Sequence, residues 1–334
     1  MKNQIKTIDK IDTMLQQAQA ALDKPDFKSA LKLSEDALHL AMERGNRNGI
    51  IESWLTGGIA HLLQGKNRKA EQFLHHALKF IKESDDKRFK NKLYSLLGKV
   101  YCDLGDSEEA LRYLSMSLKI ARGLADESIL ANNYLNMASA LTMSNNFSRA
   151  SENFEKAKSI AEKVDDESLL GSIYTNMSFF YDKQGKAEEA LNTALKALPL
   201  CEKHNQWRFV VILHNTIATC YYNLERLDDA LTHYEKCLEL ARKYDFGYHI
   251  LSTLIHIGNA YRLKAMYEKA DEYLTEAENS GLFHDNTELW RMYFDACLNL
   301  YEDMGDYKQA YEKHKQLLKY EINEREKSYA SKKK

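Results

Sequence analysis

Alanine stands at Ala30, Ala70, Ala110, Ala150, Ala190, Ala230, Ala270 and Ala310, eight times at a spacing of forty with no insertion or deletion. Self-similarity at a fixed period of this size marks a repeat architecture, in which each unit buries its apolar face only by stacking on its neighbours. Other columns keep the same register. Twelve residues before the alanine is a small residue in seven rows: Ala18, Gly58, Gly98, Ala138, Ser178, Ala218 and Gly258, with Leu298 the exception. Seven after it come Ala37, Ala77, Ser117, Ala157, Ala197, Cys237 and Ala277, with Leu317 departing. A large residue leads each unit: Met14, Trp54, Tyr94, Tyr134, Tyr174, His214, Leu254 and Phe294.

Each unit shows an apolar stripe at helical spacing before a turn and another after it, which predicts two amphipathic helices, A then B. Small residues belong where the two cross, because a larger side chain would hold the backbones apart. The turn falls at Pro25, Gly65, Gly105, Asn145, Gly185 and Gly305, residues suited to ending a helix. Asp26, Asp106, Asn146 and Asp306 follow and suit the N-cap of helix B. Between units, Asp85, Asp126, Asp165 and Asp285, or their neighbours, suit the cap of the next helix A. Only 2 prolines and 14 glycines occur in 334 residues, so nothing opposes helix through most of the chain.

The stretch YSLLGKVYCDLGDSEEALRYLSMSL, residues 94–118, resembles the tetratricopeptide repeat, whose pattern is Trp, Leu-Gly and Tyr on helix A and Ala, Phe and Ala on helix B. The resemblance covers about residues 11–320 and departs from the usual period of about 34. Longer units of this kind resemble kinesin light chain, spindle-orientation adaptors, bacterial quorum-peptide receptors and the sensor arms of bacterial signalling enzymes. It implies an all-α, right-handed solenoid of eight repeats over residues 1–322, with helices A on the concave wall, and a charged, frayed tail over 323–334. Row one carries Gln17 and Ser34 at apolar columns and row eight carries Leu298, His314 and Leu317, so both read as end caps.

Function classes narrow by exclusion. A net charge of −2 provides no broad basic field for nucleic acid or anionic membrane. No 18-residue apolar run and no apolar leader core occur, so the chain is expected to be cytoplasmic and not membrane-inserted. The cysteines Cys102, Cys201, Cys220, Cys237 and Cys297 form no CxxC pair and read as small apolar filler. Phosphate-loop, dinucleotide, zinc-protease and nucleophile-elbow signatures are absent, and no cofactor or metal is expected. His75 and His76 are adjacent on one helix and point apart; His284–Asp285 reads as a cap. The expectation is a non-enzymatic scaffold that binds a peptide or protein segment; the alternative is the sensor module of a signalling protein whose effector lies outside this chain.

By the resemblance, ligand lies along helices A. In the middle repeats the corresponding columns are mostly polar and uncharged. Asn136 and Asn176 fall where peptide-binding relatives carry an asparagine that clamps the ligand backbone, and Asn132 shares a helix face with Asn136. Asn259 is a further amide in these columns. Lys99, Lys183 and Arg262 suit an acidic side chain or terminal carboxylate, and Phe179, Met143 and Tyr222 suit an apolar anchor. Asn133 falls in a mixed column that holds Leu93, Ile173 and Leu213 elsewhere, and the sequence offers no reason for an amide there.

Overall fold

The computed structural model describes residues 10–81, 86–283 and 287–332. These hold sixteen α-helices in eight A–B pairs and no strand. The first five pairs are α1 (Lys10–Asp23) with α2 (Phe27–Glu43), α3 (Arg47–Leu63) with α4 (Asn67–Ile81), α5 (Lys87–Asp103) with α6 (Ser107–Ala121), α7 (Glu127–Met143) with α8 (Phe147–Lys163), and α9 (Glu167–Lys183) with α10 (Ala187–Lys203). The last three are α11 (Trp207–Asn223) with α12 (Leu227–Lys243), α13 (Gly247–Leu263) with α14 (Tyr267–Asn279), and α15 (Thr287–Asp303) with α16 (Tyr307–Lys332). The chain is an all-α solenoid of helix pairs, as its period implies. Contacts group it into two units, Met1–Leu213 and His214–Lys334.

The eight period alanines are all buried, seven of them completely. The small column is buried with them, and glycine geometry shows why it is small. A β-carbon at Gly98 would lie 2.4 Å from Leu114 Cγ, one at Gly58 2.8 Å from Leu74 Cδ2, and one at Gly258 2.9 Å from Leu274 Cγ. In each case the leucine of helix B, four residues past the alanine, lies on the glycine of its own helix A.

The turns are built alike. In repeat three the Gly105 amide donates to Cys102 O and the Asp106 amide to Tyr101 O, which satisfies the last carbonyls of helix A. The same pair of bonds recurs at Asn145 and Asn146, and at Ala265 and Met266. It requires a left-handed residue, and φ is positive at Gly65, Gly105, Asn145, Gly185 and Gly305, but also at Glu225 (59°) and Ala265 (55°), where the sequence carried no turn signal. Asp26, Asp106 and Asp306 accept the capping bond from the amide three residues on. Asn146 takes the cap position without that bond.

Between units, Asp126 caps α7 as expected. At the next junction the cap falls to the neighbour: Asp165 is the left-handed residue (φ 54°), and Asp166 accepts from the Leu169 amide. Asp86 caps α5; Asp85, His284 and Asp285 lie outside the described residues. Helix α16 continues without interruption past residue 322 to Lys332, where a frayed tail was expected. Four of the five cysteines are buried and all are free thiols, consistent with filler.

Within the first unit each A helix also touches the next A helix, α1 with α3, α3 with α5, α5 with α7 and α7 with α9. Among the described residues of this unit no B helix touches another B helix. Helices A therefore crowd one side of the stack and helices B fan out on the other. In the second unit α13 touches α15 in the same way.

Asn133 now has a reason. It is buried, and with Asn91 of α5 and Ser117 of α6 it forms a polar cluster inside an otherwise apolar core. Ser117 Oγ lies 2.5 Å from Asn133 Oδ1, Asn91 Nδ2 donates to Ser117 O at 2.9 Å, and Asn133 Nδ2 donates to Ile129 O at 2.8 Å. Ser117 is the one polar residue in the column seven after the alanine, and it faces the two asparagines.

Candidate functional site: the inner face of helices A

In the first unit the inner face is a ladder of short polar side chains. Asn136 of α7 is 6% exposed, and its Nδ2 donates to Ser95 Oγ of α5 at 2.8 Å. One step along, Ser139 of α7 donates to Asn176 Oδ1 of α9 at 3.0 Å, while Asn176 Nδ2 donates to Ser172 O at 2.8 Å. The two asparagines expected to clamp a ligand thus also tie successive A helices together. Each amide has two donor hydrogens and an acceptor oxygen, so one partner leaves capacity for a second. Asn132 is exposed and donates to Ser128 O of its own helix.

Charge gathers at one place on this face. Lys99 and Asp103, one turn apart on α5, are both exposed. Desolvation lowers the Lys99 pKa, the positive charge of Arg208 on α11 lowers it further, and Asp103 opposes both. Desolvation raises the Asp103 carboxyl against the pull of Arg208 and Lys99. Arg208 is lowered by desolvation with Asp103 opposing. Residues more than a hundred positions apart therefore feel one another across the inner face, and the trio carries one net positive charge. The sequence pointed to Lys99 but not to Arg208, which is the second residue of its helix.

Toward the C-terminal end of α9, Lys183 Nζ stands 5.3 Å from the centre of the half-buried Phe179 ring, a cation–π pair. Asp182 beside it has its pKa raised by burial, with Lys183 opposing. Met143 is 46% exposed at the corresponding end of α7.

In the second unit the inner columns hold a ring stack. His256 of α13 lies on Tyr234 of α12 with centroids 5.4 Å apart and planes 12° apart, and Tyr234 Oη meets Thr219 Oγ1 at 3.1 Å. Desolvation pushes the His256 pKa down to about 4, so its ring is neutral at pH 7. Tyr222 packs against the local core and Asn259 is half-buried. Arg262 differs from expectation: its Nη1 already holds Asp303 Oδ2 of α15 at 2.6 Å. The acidic partner that Arg262 was expected to find in a ligand is supplied by this chain.

Residues 90–163 and 209–280 each match the family model described as the tetratricopeptide repeat. These two segments carry tetratricopeptide repeats. A curated relative, tetratricopeptide repeat protein 29 of Macaca fascicularis, is 28% identical over 145 residues, 41% of this chain. The matched stretch spans 29% of that relative's length. Two solved structures share this fold over nearly the whole chain. NprR in complex with its cognate peptide NprX has a TM-score of 0.69 at 18% identity, covering 96% of this chain and 90% of that one. A Rap protein complexed with competence and sporulation factor has a TM-score of 0.65 at 14% identity, covering 94% and 98%. At these identities the likeness is one of fold. Among the described residues no helix is long and apolar enough to cross a membrane, and no group of three or more metal-ligating side chains occurs.

Proposed function

We propose that this chain is a non-enzymatic receptor scaffold that holds an extended peptide, or an extended segment of a partner protein, along the inner face of its A helices. The observation that carries the reading is the ladder of Ser95, Asn136, Ser139 and Asn176 beside the Lys99–Asp103–Arg208 trio. Amides and hydroxyls at this spacing pair with main-chain groups of a strand without reading its side chains. Two cations within electrostatic reach of one carboxylate leave a net positive charge that favours an anionic group, either an acidic side chain or a terminal carboxylate. Phe179, Met143 and, in the second unit, Tyr222 offer apolar anchors; Lys183 and Asn259 add polar contacts. Arg262, held by Asp303, is assigned an organising role instead. The two similar folds solved with a cognate peptide and with competence and sporulation factor support the choice of a ligand of this class.

The test is a fluorescence-anisotropy screen of a labelled peptide library against the wild type, followed by retitration of the hits. Asn136→Ala with Asn176→Ala and, separately, Lys99→Gln with Arg208→Gln should each weaken the best peptide at least tenfold, with melting curves confirming the fold. Unchanged affinity in both pairs would overturn the site.

A further inference from the structure

The large column that leads each unit and the column three after the alanine meet in space. In repeat two they hold Trp54 and Phe73, with ring centroids 5.2 Å apart, and in repeat three Tyr94 and Tyr113, 6.1 Å apart. Repeat six is the one row with histidine in both columns, His214 and His233. Their centroids lie 5.2 Å apart, like the other ring pairs, but here two nitrogens meet: His214 Nδ1 stands 3.1 Å from His233 Nδ1. Packing alone requires no nitrogen at this point, since carbon rings fill the same space in other repeats.

From this geometry we propose that His214 and His233 form a binding site for a divalent transition-metal ion of the imidazole-favouring kind, Zn²⁺, Cu²⁺ or Ni²⁺. A tetrahedral ion with metal–nitrogen bonds of about 2.0–2.1 Å spans two ligand nitrogens about 3.3 Å apart, so the observed separation needs to open by only about 0.2 Å. Both lone pairs become available when each neutral ring carries its proton on Nε2, which takes a tautomer change and no loss of charge.

The pair opens onto a surface depression lined by Thr232, Glu235, Lys236 and Glu239. The two carboxylates outnumber the one ammonium, and Lys236 is itself held by Glu239 at 2.8 Å. No third His, Cys, Asp or Glu completes a protein cage among the described residues. The remaining positions on the ion are therefore for water or for a side chain of a docking partner. The pair ties helix A to helix B of one repeat, residues nineteen apart, and neither lies in a sequence motif.

The full chain is titrated with Zn²⁺ alone, by calorimetry and by competition with a chromophoric chelator. The variant pair His214→Tyr and His233→Phe restores the ring pair of other repeats and should fold. Loss of one ion per chain, or at least tenfold weaker binding at that site, is expected in this variant and in each single substitution, but not in His75→Ala with His76→Ala. Unchanged Zn²⁺ binding in the double variant overturns the site. Should the double variant not fold, Cu²⁺ electron paramagnetic resonance on the wild type decides: coupling to two nitrogens supports the site, and coupling to none or one overturns it.

Discussion

Gly98 of α5 lies so close beneath Leu114 of α6 that a β-carbon on the glycine would fall 2.4 Å from Leu114 Cγ. Both residues are buried, and neither helix can withdraw without opening the core between them. Gly98→Ala is therefore expected to destabilise by about 1–3 kcal/mol despite the better helix propensity of alanine, as overpacked cores do. Chemical denaturation of the variant measures it. Gly98→Ala with Leu114→Ala should not recover the wild-type stability, because the leucine's burial is lost, but the two changes should be markedly non-additive.

The polar cluster of Asn91, Ser117 and Asn133 makes a second prediction. Asn133→Leu supplies the residue that repeats three and six carry in this column, yet it strands Asn91 and Ser117 in the core. A cost of about 1–3 kcal/mol is expected for the single change. The triple variant Asn91→Ile, Ser117→Ala, Asn133→Leu, built from residues found in those columns elsewhere in the chain, should be more stable than the single variant in the same urea titration. A triple variant no better than the single one would mean that the three residues do not act as a set.

Two turns carry residues that resist their own backbone. Glu225 and Ala265 hold φ of 59° and 55° where four other repeats have glycine. The left-handed conformation costs an L-residue roughly 1 kcal/mol, so Glu225→Gly and Ala265→Gly should each raise the melting temperature, less a part lost to the greater freedom of glycine in the unfolded chain. Calorimetry on the two single variants and the double variant checks this.

Stability should also fall on mild acidification. The His61 pKa is pushed down to about 4 by desolvation, with Lys69 and Lys66 adding to it, and burial does the same for His256. For a base with a depressed folded pKa, the unfolded chain binds more protons between that pKa and the ordinary value near 6.5. The stabilisation is thus complete above about pH 6.5 and is lost as pH falls toward 4, with a slope of up to about 1.4 kcal/mol per pH unit for each such ring. His61→Phe, which places a phenyl ring where the imidazole meets Phe73 edge-on, should flatten that slope in melts run from pH 7 to pH 4.5.

The repeat, its helix pairs and its glycine turns were legible because each rests on local chemistry repeated eight times: a small residue at a crossing, a left-handed residue at a turn, an acceptor at a helix start. What the sequence leaves open depends on which residues the turns and the stack bring together. Asp165 and Asp166 are both competent caps, and only the turn geometry gives the first a left-handed backbone and the second the capping bond. Arg262 is on an inner column as expected, but the carboxylate it meets lies forty-one residues away on α15. Arg208 joins Lys99 and Asp103 only through the stacking of the intervening helix pairs. The pairing of His214 with His233 depends on two columns that each look like ordinary core.

The contact of each A helix with the next has a consequence for anything that lies across them. Packed helices stand about 8–10 Å apart, and an extended strand advances about 3.3 Å per residue, so one repeat corresponds to about three residues of ligand. The rungs at Ser95–Asn136 and Ser139–Asn176 then act as graduations on a ruler. A bound strand would be measured in steps of three, and its length, more than its composition, would set how many rungs it engages.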